Sequence, residues 1–148
     1  IGEAPGSEED RTGEPFVGPA GKLLDLMLAS IQLNRKTNFY VTNMIFWRPP
    51  GNRTPNKEEI NLCLPFVKEH IEIIDPKFII LLGNVAIKSL LCTNRSVTEM
   101  RKEKISYSTN YKNIKCFAMY HPAFLLRNGN MKKETWIDLC NIFKWVNK

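Results

Sequence analysis

The chain has 148 residues, of which 43% are hydrophobic and 24% charged, as expected for one globular domain and not for a disordered chain. Its longest uncharged apolar run, residues 78–82, is far too short to span a bilayer, so we expect no membrane partner. The formal net charge is +6, and residues 95–133 hold nine basic and two acidic residues. This asymmetry favours nucleic acid as a partner, although lysine-rich surfaces are also common in proteins that bind none.

Glycine and proline punctuate the first 22 residues, which we expect to be irregular. Apolar residues then recur at helical spacing, and a stretch of β-branched and aromatic residues predicts the first full strand. The predicted elements are, in chain order, a helix over 23–31, a strand over 39–45, a proline-rich loop over 48–56, a helix over 60–74, a strand over 78–82, a helix over 85–91, a strand over 115–120 and a helix over 132–146.

Strands that alternate with helices predict an α/β fold, with a mostly parallel central sheet between two helical layers. In such folds ligands bind at the carboxyl ends of the strands. Three polar clusters lie at or just beyond predicted strand ends, namely Gly2–Gly6, Thr42–Asn43 and His121–Pro122. These clusters are therefore the candidate functional residues.

Each candidate also has an ordinary structural explanation. Glu3 is typical of a solvated loop, Phe16 after a proline is typical of an aromatic that closes a core edge, and His121 before a proline is typical of a turn. Asn43 is less ordinary, because asparagine is depleted in strands and a buried amide needs partners.

The motifs taken together resemble those of the family 4 uracil-DNA glycosylases. Residues 2–24 are similar to the first family motif, which reads GEAPGxxED..G.PFVG.AG.LL. Residues 40–55 resemble its YVTN…RPPGNRTP segment, and residues 120–128 resemble its second motif, YHPAYLLRN. The resemblance extends over nearly the whole chain. It implies the uracil-DNA glycosylase fold and an enzyme of base excision repair, which cleaves the bond between uracil and deoxyribose in DNA and leaves an abasic site.

The resemblance also implies how the base is recognised. The uracil leaves the base stack and enters a pocket, where Phe16 matches the aromatic that stacks on it and Asn43 matches the amide that reads its edge. The carbonyl of that amide can accept from uracil N3–H while its NH₂ group donates to O4. Cytosine has the opposite pattern of donors and acceptors, so it would leave both amide groups mispaired.

Two residues are candidates to act on the bond itself. His121 matches the donor that stabilises negative charge on uracil O2. Glu3 is the nearest carboxylate to the turn formed by Gly2, Ala4, Pro5 and Gly6, and we expect it to position water or stabilise the sugar cation. The backbone N–H groups of this turn are expected to help bind the uracil anion.

Four further residues are candidates for contact with DNA. Leu125 lies where family relatives insert an apolar side chain into the duplex, and a role as a core leucine is equally compatible with its position. Arg48, Arg53 and Arg127 are candidate phosphate ligands, although each is also compatible with an ordinary surface charge.

The cysteines depart from the family pattern. Most family 4 enzymes hold a four-iron, four-sulfur cluster with four cysteines, two of them in a C-x-x-C that this chain lacks. Trp47 stands at the third position and only Cys63 matches a ligand. We therefore expect no cluster, with Cys63 as a remnant ligand. We also expect residues 1–148 to form one domain that lacks the family's N-terminal helix and first strand, and to act as a cytoplasmic monomer.

Two other functions remain open at this point. The first is a DNA-binding relative that has lost catalysis, for which the missing cluster and N-terminal segment argue and the intact site residues argue against. The second is a general α/β nucleotide-binding domain, but the chain has neither a G-x-G-x-x-G motif nor a P-loop lysine to support it.

Overall fold

A three-stranded sheet lies at the centre of the computed structural model, which describes residues 1–147. Its strands are β1 (Phe78–Leu82), β2 (Ile105–Ser108) and β3 (Asn113–Met119), in the order β1-β3-β2. β1 and β3 run parallel, with Phe78 opposite Lys115 and Leu82 opposite Met119. β2 pairs antiparallel with β3 and was not predicted from the sequence.

The first three residues extend this sheet beyond β1. The Leu82 N–H donates to the Ile1 carbonyl over 2.9 Å, and on the other side the Gly2 N–H donates to the Thr42 carbonyl over 2.9 Å. Gly2 and Asn43 form a single parallel bridge. The strand predicted over 39–45 is therefore wrong for most of its length, because only Asn43 takes up bridge pairing with a neighbour.

Helices cover both faces of the sheet over the described residues. They are α1 (Ser7–Thr12), α2 (Pro19–Ala29), α3 (Lys57–Ile74), α4 (Gly83–Leu90), α5 (Val97–Met100), α6 (Pro122–Arg127) and α7 (Lys132–Val146). Leu24 of α2 and Leu139 of α7 belong to the core on one face, whereas α3, α4 and α5 contribute to the core on the other face. The predicted three-layer α/β/α architecture is confirmed.

The sequence of β1 explains why helices pack on both sides of it. Ile79 and Leu81 belong to one core, and Phe78 and Ile80 pack against the other. Side chains alternate between the faces of a strand, so a run of five apolar residues buries both faces. The strand predicted over 78–82 is confirmed, and α4 begins directly after it at Gly83.

An apolar groove of about 670 Å³ opens between residues 36–42 and the part of β1 at Phe78–Ile80. Of the predicted site residues, none lines it. No helix within residues 1–147 is both long enough and apolar enough to cross a membrane. The prediction of one domain that lacks a first helix and a first strand stays a prediction.

Candidate active site

Asn43 forms the bridge to Gly2, and its side chain is buried. Its residue surface is 4% exposed, and its Oδ1 atom is a buried acceptor that has no hydrogen-bond partner among the described residues. Buried amide oxygens are almost always paired, because an unpaired one costs about 1–3 kcal/mol. This unpaired acceptor therefore points to a donor that arrives with a ligand.

Gly2 allows an aromatic ring and this amide to meet. A Cβ atom built on Gly2 would lie 2.6 Å from Asn43 Oδ1 and 2.8 Å from Cε2 of Phe16. Both distances are too short for any side chain, so only glycine permits this approach. The structure thus brings together Gly2, Phe16 and Asn43.

Phe16 is held in an unusual backbone conformation. Its φ angle is 55°, in the left-handed region that favours glycine. The Arg35 guanidinium donates to the carbonyls of Pro15 and Phe16, each over 2.6 Å, and is itself anchored by Asp25 at 3.0 Å. Gly21 leaves room for this backbone, since a Cβ there would overlap the Phe16 carbonyl. Sequence reasoning missed both supports, because nothing in the sequence places Arg35 beside Phe16.

Glu9 closes the loop that carries Phe16. Its carboxylate accepts from the backbone N–H groups of Gly6, Val17 and Gly18, at 3.2, 2.9 and 2.8 Å. Burial alone raises the pKa of the Glu9 carboxyl, but these donors outweigh it and hold the pKa below its usual range. Glu9 is the third residue of α1 after its cap, a position where glutamate commonly binds the cap N–H. That pattern was a signal for Glu9 that the sequence analysis did not use.

His121 precedes α6 and faces Phe16. The two ring centroids are 5.7 Å apart, with 31° between the ring planes. Nδ1 of His121 accepts from the Ala123 N–H over 3.1 Å. Burial, followed by nearby positive charge that includes Arg127, lowers the pKa of His121 to about 4. The ring is therefore neutral at pH 7, with its proton on Nε2 and available for donation.

Gly83 supports His121 from the end of β1. Its φ angle is 86°, and a Cβ atom there would lie 3.1 Å from the Cβ of His121. A larger residue would have to adopt a strained backbone and would press on the histidine. The junction of β1 and α4 therefore helps to fix the position of His121. No sequence motif predicts this contact between Gly83 and His121.

Glu3 and Arg127 act on one another electrostatically. Burial raises the pKa of the Glu3 carboxyl, and the positive charge of Arg127 offsets part of that rise. Glu3 follows Gly2 directly, so its backbone belongs to the extension of the sheet, where the Ile45 N–H donates to its carbonyl over 3.2 Å. The backbone of Glu3 is thus held next to the Gly2–Asn43 bridge.

The turn Gly2–Gly6 supplies fewer anion donors than expected. The Gly2 N–H is bonded to Thr42 and the Gly6 N–H to Glu9, and Pro5 has no N–H. Of the residues predicted to help through backbone donors, only Glu3 and Ala4 remain available for that role.

The candidate DNA contacts have different environments. Leu125 is 1% exposed and belongs to the core, which favours the structural one of its two predicted roles, whereas Leu126 is 50% exposed. Arg53 forms a two-bond ion pair with Glu59, at 2.8 and 2.7 Å, and lowers the pKa of that carboxyl to about 2. Arg48 donates to Asn52 over 2.7 Å. Arg127 is exposed beside the site.

The cysteines present in this chain do not fit a four-iron cluster. Cys63 is buried in α3, Trp47 at the matching position is 42% exposed, and Cys116 and Cys140 lie on β3 and α7. Within residues 1–147, no three His, Cys, Asp or Glu side chains are grouped closely enough to hold a metal ion.

Comparison with known proteins identifies the family of this chain. A model of the uracil-DNA glycosylase superfamily matches residues 1–141. The chain belongs to this superfamily. The resemblance predicted from the motifs is thereby confirmed for the family and for its fold.

Several members of the superfamily are similar to this chain. A type-4 uracil-DNA glycosylase of Archaeoglobus fulgidus is 41% identical over all of this chain and 76% of its own length. Those of Sulfurisphaera tokodaii and Thermotoga maritima are 39% and 42% identical, over 90% and 86% of this chain. The chain spans 62% and 65% of the length of these two relatives.

Proposed function

We propose that this protein hydrolyses the N-glycosidic bond of deoxyuridine in DNA, releases uracil and leaves an abasic site. The observation that carries this proposal is the unpaired, buried Asn43 Oδ1 beside the ring of Phe16. A uracil stacked on that ring presents its N3–H to Oδ1, whereas cytosine presents an acceptor there. The type-4 relatives named above support the proposal through their names and similarity.

The chemistry follows from the neutral imidazole of His121. As the bond between C1′ and uracil N1 breaks, its electron pair moves onto the uracil and charge accumulates on O2. The Nε2–H of His121 is the donor that stabilises this oxygen, as donors in oxyanion holes do. A water then adds to C1′, and the Glu3 carboxylate orients it and accepts its proton. The uracil anion departs with the electron pair of the broken bond and takes a proton from solvent, and Glu3 returns its proton to solvent.

Double-stranded DNA would be bound mainly through its phosphates, with the target base flipped out of the duplex. Arg127 lies beside Glu3 and has no carboxylate partner at ion-pair distance among the described residues, so its charge is available to a phosphate. Arg48 is a second candidate, whereas the charge of Arg53 is already paired with Glu59. Binding should weaken steeply with salt, and Arg127→Gln should reduce the slope of log K against log salt by about one.

The apolar side chain that fills the vacated space in the duplex is proposed to be Leu126. It is exposed on α6, whereas Leu125 is committed to the core. The two leucines are adjacent, so this assignment lies one residue beyond Leu125, the candidate that the sequence offered for this role.

We propose that the protein works without an iron–sulfur cluster. Trp47 has no thiolate, and Cys63 alone stands at a family ligand position. Anaerobic purification of the natural full-length protein, followed by measurement of iron and sulfide, tests this directly. Stoichiometric iron with a visible charge-transfer band would overturn it. We also propose that the protein acts as a monomer in the cytoplasm, which gel filtration and cell fractionation would test.

The experiment for the central activity is incubation with an oligonucleotide that contains one uracil, followed by alkali. Strand cleavage at the uracil supports the proposal. A protein that binds this DNA without releasing uracil would instead be a DNA-binding relative that has lost catalysis.

A further inference from the structure

Arg101, at the end of α5, occupies a buried site that the chemistry above does not use. Its side chain is 4% exposed. Its Nε and Nη2 donate to the two carboxylate oxygens of buried Asp138, over 2.8 and 3.0 Å, and its Nη1 donates to Glu134 over 2.7 Å. Both carboxylates lie on α7, so the guanidinium joins α5 firmly to α7.

The same guanidinium lies against Tyr120. Its central carbon is 5.1 Å from the centroid of the tyrosine ring, a distance at which a cation is attracted to an aromatic face. The ring also stacks on Phe124, with centroids 5.1 Å apart and 27° between planes. The hydroxyl of Tyr120 hydrogen-bonds to that of Thr98 at 3.2 Å. Tyr120 is therefore held by three residues from two helices, namely Thr98 and Arg101 at α5 and Phe124 on α6.

His121 lies in the chain between the two stacked rings. Tyr120 precedes it directly, and Phe124 follows it by one helical turn. The Phe124 N–H donates to the His121 carbonyl over 2.9 Å, and the Ala123 N–H donates to its imidazole. The position of the His121 ring therefore depends on the positions of the Tyr120 and Phe124 rings.

We propose that Arg101, fixed by Asp138 and Glu134, is a positioning residue that aims the imidazole of His121 through Tyr120 and Phe124. This inference rests on the proposed uracil release. A buried ion pair contributes little to stability compared with apolar residues of similar volume. The two bonds from Arg101 to the Asp138 carboxylate instead fix the orientation of the planar guanidinium relative to the Tyr120 ring, because they prevent it from rotating.

The test compares the parent protein with the double variant Arg101→Met/Asp138→Leu, which exchanges the ion pair for apolar side chains without leaving a lone buried charge. Single-turnover release of uracil is expected to fall by about tenfold, since small misplacements of a catalytic group are costly. Affinity for the same DNA is expected to stay within about twofold. Arg101→Lys keeps the positive charge but loses the two parallel bonds to Asp138, so it should also slow release. It provides the test if the double variant does not fold.

A second readout does not depend on activity. The chain has two histidines, so a protein labelled with ¹⁵N-histidine gives imidazole signals for His121 and His70 alone. The signals of His121 should shift in both variants, because its bond to the Ala123 N–H changes, while those of His70 should not. Arg95→Gln, which breaks the exposed ion pair with Glu103, is the matched control and should change neither the rate nor the signals.

The outcomes separate the two claims. If the parent protein releases no uracil, the proposed function fails, and the imidazole signals still test the positioning. If the variants release uracil as fast as the parent, or if the signals of His121 coincide with those of the parent, the role of Arg101 is structural only and the inference is wrong.

Discussion

The rings of Phe16 and His121 lie with their centroids 5.7 Å apart and their planes 31° from parallel. Phe16 comes from the loop between α1 and α2, and His121 from the end of β3, so only the folded chain brings them together. Phe16 is 5% exposed and packs in the core on one face of the sheet, and His121 is a neutral ring with its proton on Nε2. Under the proposed function, a uracil that stacks on Phe16 accepts a hydrogen bond from His121.

The position of Phe16 depends on the absence of a side chain at Gly21. Alanine normally stabilises a helix interior by about 1 kcal/mol relative to glycine. Gly21→Ala should do the opposite here, because the new Cβ overlaps the Phe16 carbonyl. We expect uracil release to slow by about tenfold or more, as for a displaced positioning group, with a lower melting temperature. Gly129→Ala has open space around its Cβ and should change neither quantity.

Asn43→Asp removes the donor of the amide and places a carboxylate in a buried site. Uracil cleavage should fall by about tenfold or more, which corresponds to the loss of one good polar contact. Single-turnover rates on uracil and cytosine substrates measure the effect, and cytosine cleavage can rise in the variant. Asn94→Asp, on an exposed loop, is the control. An unchanged uracil rate in Asn43→Asp would remove Asn43 from the site.

His121→Ala removes the proposed donor to uracil O2. The chemical step should slow by about 10²-fold or more, by analogy with other oxyanion donors, while binding to undamaged DNA should barely change. A variant that cleaves as fast as the parent would leave His121 with only its role at the start of α6.

The buried imidazole also predicts how stability depends on pH. The pKa of His121 is about 4 in the folded protein against an ordinary value of 6.5, so between these values the unfolded chain binds the proton and the folded protein does not. Unfolding therefore becomes easier as the pH falls from about 6.5 to 4. Denaturant unfolding of the parent at pH 7 and pH 5 should show this loss, and His121→Ala should show less of it.

Much of this architecture was predictable from the sequence, because its signals are local. Short stretches of sequence are enough to recognise the apolar run of β1, the helical spacing within α3 and α7, and the motif around His121. The family motif likewise indicated Phe16 and Asn43, which the structure places side by side at Gly2.

The remaining features depend on contacts between distant parts of the chain. The two bonds of Arg35 to the carbonyls of Pro15 and Phe16 leave no trace in a sequence pattern. Residues 39–42 look like a strand by composition, yet they line the apolar groove, and pairing begins only where Gly2 meets Asn43. The choice between Leu125 and Leu126 likewise depends on the rotation of a helix of six residues, which its sequence alone does not fix.

The assignment of Leu126 predicts a difference between DNA substrates. Leu126→Ala should slow uracil release from double-stranded DNA by about tenfold, because the flipped base is no longer replaced in the stack. Release from single-stranded DNA and the melting temperature should change little. Leu125→Ala should instead destabilise the fold by about 2–5 kcal/mol, as for a core leucine. A Leu126→Ala variant with parental rates on duplex DNA would contradict the assignment.

The central claim is tested most directly by uracil release from a duplex that carries one uracil. The natural full-length protein should produce an alkali-sensitive site at the uracil, and none where thymine or cytosine replaces it. Asn43→Asp and His121→Ala should reduce this cleavage strongly in the same assay. A natural protein that binds the duplex and leaves the uracil in place would contradict the account.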